Sequence, residues 1–124
     1  RASFMHDLRP FAQMARSDNW WMLLAAAGAG APLAEEMLFR GLLFGGLRAS
    51  PLGFFGAAGI SAGFWTALHA SYSIYALGLL FVIGVYFAWL RERTQSLWPS
   101  IVAHAVYNST IVVALALAPE TALQ

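Results

Sequence analysis

The run from Trp20 to Leu47 is almost wholly apolar, yet its middle reads "APLAEEMLFRGLLFGGL" and carries Glu35, Glu36 and Arg40. It is too long for one straight bilayer crossing, which takes about 20 residues. A charge at the bilayer centre costs about 2.5–3.5 kcal/mol on insertion scales. A chain keeps such groups where they face inward and pair, so the segment implies a bundle with a polar interior. Composition agrees: of 124 residues, 60% are hydrophobic and 10% are charged, against about a quarter charged in soluble domains. That is too little charge to cover a water-facing surface. The predicted fold class is all-α, a multi-span transmembrane bundle.

The net charge is +1 and the basic residues are not clustered, so no footprint for nucleic acid is present. There is no Cys, which excludes a disulfide framework, a cysteine zinc site and a thiol nucleophile. All seven cationic residues are Arg, a composition that suits a GC-rich bacterial genome. The expected location is therefore a bacterial cytoplasmic membrane. The chain opens on Arg1 without an initiator Met and shows no signal peptide. It reads as a fragment of a longer protein with helices missing upstream.

Residues 1–18 read as a juxtamembrane segment, either a short interfacial helix with Phe4, Met5, Leu8 and Phe11 on its apolar face or a plain loop. A membrane core follows over residues 19–118, with a tail at 119–124. Asp18-Asn19 starts the first hydrophobic segment, with Trp20 and Trp21 as interface anchors. A break is expected at Gly28–Pro32, which would put Glu35 and Glu36 near the first turn of a new helix, where the dipole favours negative charge. Ser50 and Pro51 cap and open the second segment, which runs to about Ala70. Gly41/Gly45 and Gly59/Gly63 have the spacing of close helix contacts. The third segment, Ile74 to Leu90, is apolar all round and reads as structural. The fourth runs from about Leu97 to Leu117, with Ser96 as a cap. If the four segments each cross once, Arg1, Arg9 and Arg16 lie on one side and Arg48, Arg91 and Arg93 on the other, so orientation stays open.

Few strongly polar groups remain inside these segments: Glu35, Glu36, Arg40, His69, His104 and Asn108. Glu36 and Arg40 are one helical turn apart and predict an ion pair. Glu35 lies about 100° round the helix and is left free for another partner. Ser100, His104, Tyr107 and Asn108 form a polar seam on the last helix, which interhelical hydrogen bonding alone would also explain. Carboxylate and imidazole together can activate water as a nucleophile, with or without a metal. The H-E-x-x-H zinc signature is absent, but two histidines and a glutamate from different helices can hold Zn²⁺ with one position open.

Three stretches, in this order, carry a resemblance. "EEMLFR" fits E-E-x-x-x-R, "WTALH" is similar to F-x-x-x-H, and "HAVYN" fits H-x-x-x-N. Together they resemble the CPBP family of CAAX prenyl endopeptidases and bacteriocin-processing or bacteriocin-immunity proteins, over about Ala31 to Val113. One position departs: Trp65 stands where the family usually has Phe. The resemblance implies an intramembrane endopeptidase acting on a peptide or protein, with a prenylated peptide as one substrate class. Glu35 with His69 would activate water, and Glu36 and Arg40 would shape and neutralise the site. His104 and Asn108 would stabilise the oxyanion. The family is described both as metalloprotease and as glutamate-dependent protease. A divalent metal such as zinc on Glu35, His69 and His104 and a metal-free site therefore stand as alternatives.

Two other function classes fit the same residues: a non-catalytic membrane scaffold or bacteriocin-immunity-type binding protein, and a proton or ion pathway. Helix counting also raises a difficulty. Measured from the Arg48 and Arg91 side at about 1.5 Å per residue, Glu35 lies roughly 20 Å deep, His69 roughly 27 Å and His104 only about 10 Å. A shared site then requires strong tilts, or a dip of "RTQSLWPS" into the bilayer that buries Trp98.

Overall fold

A computed structural model describes residues 7–119. Among the described residues it contains five helices and no strand. They are α1 (Arg9–Ala15), α2 (Trp20–Arg48), α3 (Gly53–Ala67), α4 (Ile74–Thr94) and α5 (Trp98–Leu117). Helices α2, α4 and α5 are long and apolar enough to cross a membrane. Large apolar side chains such as Phe55, Leu42, Ile74 and Leu117 point outward from the bundle. The chain is an integral membrane protein of the all-α class. The expected positions of Phe4 and Met5 lie outside the described residues. Of that face, Leu8 is buried and Phe11 is partly exposed.

The break expected near Pro32 takes a milder form. Helix α2 is continuous, with two π-helical stretches, Ala26–Gly30 and Met37–Leu43, on either side of the α-helical turn Ala31–Glu36. Glu35 and Glu36 therefore sit inside a helix rather than at a new N-terminus, and the expected dipole contribution does not apply. In the first π stretch the Ala31 N–H bonds the carbonyl of Ala26. The Ala27 carbonyl loses that donor, and the residue five further on is Pro32, which has no N–H. The side chain of Asn108 replaces it, Nδ2 donating to the Ala27 oxygen at 2.8 Å. One member of the polar seam on α5 thus repairs a carbonyl that a π turn and a proline have left without a partner.

Other boundaries differ by a turn. Helix α3 starts at Gly53, with φ +64°, because Ser50 and Leu52 first make a turn in which the Ser50 hydroxyl bonds the Leu47 carbonyl at 2.6 Å. It ends at Ala67, so His69 lies in the connection to α4. Helix α4 runs past Leu90 to Thr94 and stops at Gln95 in the left-handed region, φ 53°. Ser73 caps its start by accepting from the Ala76 N–H, while the Ser73 N–H donates to Asp7 at 2.8 Å. The side chain of Arg16 reaches the carbonyls of Leu115 and Ala118. These bonds hold the ends of the α1 segment to the rest of the bundle.

The core runs the length of the bundle in three groups. Leu8, Ala12, Ala15, Leu23, Val112 and Leu115 join α1, α2 and α5 at one end. Phe39, Trp65, Leu80 and Phe87 fill the middle. Phe44, Ala57, Ala58 and Ala88 close the other end between α2, α3 and α4. The expected glycine pairs do not make the closest approaches: a Cβ at Gly45, Gly59 or Gly63 would meet nothing within 4 Å, and one at Gly41 only an ordinary contact. Tight fits occur at other glycines: a Cβ at Gly28 of α2 would lie 2.7 Å from the Ser109 hydroxyl of α5, and Gly84 on α4 is closely packed at the centre. A Cβ there would lie 3.0 Å from the Ala62 methyl, 3.0 Å from the Arg40 guanidinium and 3.1 Å from the Trp65 ring.

Candidate active site

The buried Glu36–Arg40 pair organises the centre. The two side chains are fully enclosed, and Arg40 Nη1 donates to Glu36 Oε1 at 3.0 Å. Arg40 also donates through Nη2 to the Gly84 carbonyl at 3.1 Å. Its guanidinium carbon lies 4.7 Å from the centre of the Trp65 ring and 5.3 Å from that of Phe87. These faces give a desolvated cation favourable contacts that hydrocarbon would not.

Glu36 Oε1 also accepts from His104 Nδ1 at 2.7 Å. A carboxylate paired with Arg can only accept, so the proton of His104 belongs on Nδ1. Nε2 then faces the other way, 3.8 Å from Oε2 of Glu35. Phe87 stacks on the imidazole, with centroids 5.0 Å apart and 25° between the planes. The chain Gly84–Arg40–Glu36–His104 fixes both the tautomer and the ring orientation.

Glu35 turns away from Glu36, as the helical angle predicts, and accepts a hydrogen bond at Oε2 from the indole Nε1 of Trp65. His69 holds its Nδ1 3.1 Å from the Trp65 carbonyl. That oxygen can only accept, so Nδ1 carries the proton here too. The structure puts His104, rather than His69, directly across from Glu35. His69 is nonetheless in the same cavity.

That cavity measures about 210 Å³. Its polar end is formed by Glu35, His69, His104 and Asn108, with Tyr72 and Tyr107 beside them. Leu8 and Phe11 of the α1 segment, with Leu79, Leu80, Ile111 and Leu115, form its apolar side. Tyr72 turns its phenol toward this polar end. A tyrosine hydroxyl there can donate a hydrogen bond.

All six polar residues singled out in the sequence, Glu35, Glu36, Arg40, His69, His104 and Asn108, thus meet at or just behind one cavity. Trp65, Phe87, Gly84 and Tyr72 complete it. Of these, only Trp65 stands in a motif. Trp98 corrects an expectation: it is exposed at the start of α5, so convergence does not require its burial. Among the described residues no three His, Asp or Glu side chains form a group able to hold a metal ion. The set Glu35, His69 and His104 as arranged does not fit one.

Comparison with known proteins bears on the same residues. The family model for type II CAAX prenyl endopeptidase Rce1-like proteins matches residues 17–110. The chain belongs to this family. The matched range covers α2, α3, α4 and most of α5 and contains every polar residue of the cavity. Among curated relatives of this Rce1-like chain is a protein of Bacillus subtilis (strain 168) named "Putative membrane peptidase YdiL". It is 34% identical over 92 residues, which are 74% of this chain and 36% of the relative. The chain thus spans about a third of that relative's length. No solved structure matches it.

Proposed function

We propose that this chain forms the hydrolytic core of an intramembrane endopeptidase in which Glu35 and His104 activate a water molecule. The observation that carries the reading is the 3.8 Å gap between Glu35 Oε2 and His104 Nε2. With its proton on Nδ1, His104 presents an acceptor at Nε2, and the Glu35 carboxylate is also an acceptor. Two acceptors at this separation accommodate one bridging water that donates to both.

The chemistry follows from that position. The water oxygen attacks the peptide carbonyl carbon, and Glu35 takes its proton as general base. Arg40 and Glu36 act behind His104, holding its ring and its Nδ1 proton. The Asn108 amide has a second N–H beyond the one given to Ala27, and Tyr72 has a hydroxyl. These are the donors available for the developing oxyanion. Glu35 then gives its proton to the leaving nitrogen as the C–N bond breaks. His69 borders the same space and orients the peptide. The apolar side of the cavity suits a hydrophobic side chain or lipid-modified residue next to the scissile bond, in line with the name of the matched family.

The test uses the full-length protein purified in detergent and fluorogenic peptides with and without a C-terminal prenylated cysteine, in the presence and absence of chelator. Glu35→Gln is expected to lower cleavage by about a hundredfold or more with an unchanged melting temperature. Undiminished cleavage by this variant would show that Glu35 is not the base.

A further inference from the structure

We propose that Trp65 is a positioning residue for Glu35, and that its N–H is the part of the side chain that matters; this rests on the reading of Glu35 as the base. The F-x-x-x-H pattern that "WTALH" resembles has phenylalanine at this place, which can build a wall but cannot donate. This chain has an indole there, and the indole N–H donates to Glu35 Oε2.

Trp65 is 1% exposed. A donor buried that deeply is costly unless it finds an acceptor. In this site, the acceptor is the same carboxylate oxygen that faces His104 Nε2. The bond therefore does two things. It satisfies the indole, and it fixes which oxygen of Glu35 points at the histidine. A glutamate side chain has three rotatable torsions, and Glu35 is only partly buried, so packing alone does not choose its rotamer.

The donor is itself held rigidly. The Trp65 ring meets His69 edge-on at 5.5 Å, His104 at 5.3 Å and Phe87 at 6.1 Å, with the Arg40 cation against its face. On the remaining side, Gly84 leaves no room for even a methyl group. The indole cannot swing without moving His104 or Arg40. Trp65 thereby connects the Glu35 side of the site with the Arg40–Glu36–His104 side through one ring.

The decisive comparison is between two replacements in the full-length protein. Trp65→Phe removes the N–H and part of the ring. Benzothienylalanine incorporated at position 65 keeps the bicyclic shape and replaces N–H by sulfur. Both are expected to lower kcat roughly ten- to hundredfold, as a misplaced catalytic group does, while KM stays within about threefold. Wild-type kcat in the benzothienylalanine protein would overturn the proposal and leave Trp65 as a wall.

A second measurement does not depend on turnover. In ultraviolet resonance Raman difference spectra, wild type minus Trp65→Phe isolates the Trp65 indole. Its N–H band is expected at the strongly hydrogen-bonded position in wild type and at the free position in a Glu35→Ala background. A band unchanged by Glu35→Ala overturns the proposal even if peptide cleavage is confirmed. A shifted band in a protein that cleaves nothing supports the bond and removes the proposed activity instead.

Discussion

Helix α2 supplies the arginine of two Arg–Glu pairs, and their difference teaches how the bundle is built. Arg40 and Glu36 are fully enclosed and share one hydrogen bond of 3.0 Å. Arg48, two turns further on, makes three bonds of 2.9 to 3.0 Å to Glu92 of α4, with both side chains reaching solvent. By number of bonds the outer pair is the better one. By consequence it is the lesser, because exposed charges are solvated when apart and lose little on separation. The inner pair has no such refuge. Glu36 Oε2 and Arg40 Nε have no hydrogen-bond partner in the protein, and the pair is tied to His104 and Gly84. The outer pair joins two helix ends, whereas the inner pair orients the His104 imidazole.

The largest effect is expected from Arg40→Leu. Removing one partner of a buried pair costs about 3–5 kcal/mol, read as a lower melting temperature in detergent. Adding Glu36→Leu to that variant should recover part of the loss, since no buried charge is then left alone. A single variant as stable as wild type would break the contrast.

Gly84→Ala comes next. The added methyl must displace Arg40, Ala62 or Trp65, and overpacking of this kind costs about 1–3 kcal/mol. Cleavage should fall with it, because the displaced groups hold His104 and Glu35. Arg48→Ala should have the smallest effect, with a melting temperature indistinguishable from wild type at moderate salt. A clear loss of stability there would mean that the outer pair is more than a clasp between helix ends.

The same contrast explains what the sequence could convey. Glu36 and Arg40 are legible as a pair because they lie one turn apart on one helix, and His104 with Asn108 for the same reason. The bond from Trp65 to Glu35 joins two helices, and no periodicity announces it. Phe87 and Gly84 belong to a helix that is apolar on every face, so neither stands out until the histidine and arginine packed against them are known. Counting depth along straight, parallel rods separated Glu35 from His104. That count could not register two π stretches in α2 or an α3 that ends at Ala67, and of the two remedies it left open, the one that buried Trp98 is not seen, since Trp98 is exposed. The π stretches themselves were hidden, since Gly28–Pro32 signals disturbance of a helix without saying whether the chain stops or widens.

Helix α3 has 15 residues, roughly 22 Å of rise, against about 30 Å of hydrocarbon in an ordinary bilayer. It is too short to reach from one headgroup layer to the other. The irregular backbone that follows it, with His69 and Tyr72, is tolerated within lipid only beside protein or water. A hollow in the membrane at this spot would irrigate the cavity from one face, and the proposed hydrolysis, surrounded by oil, would thereby be supplied with its second reactant.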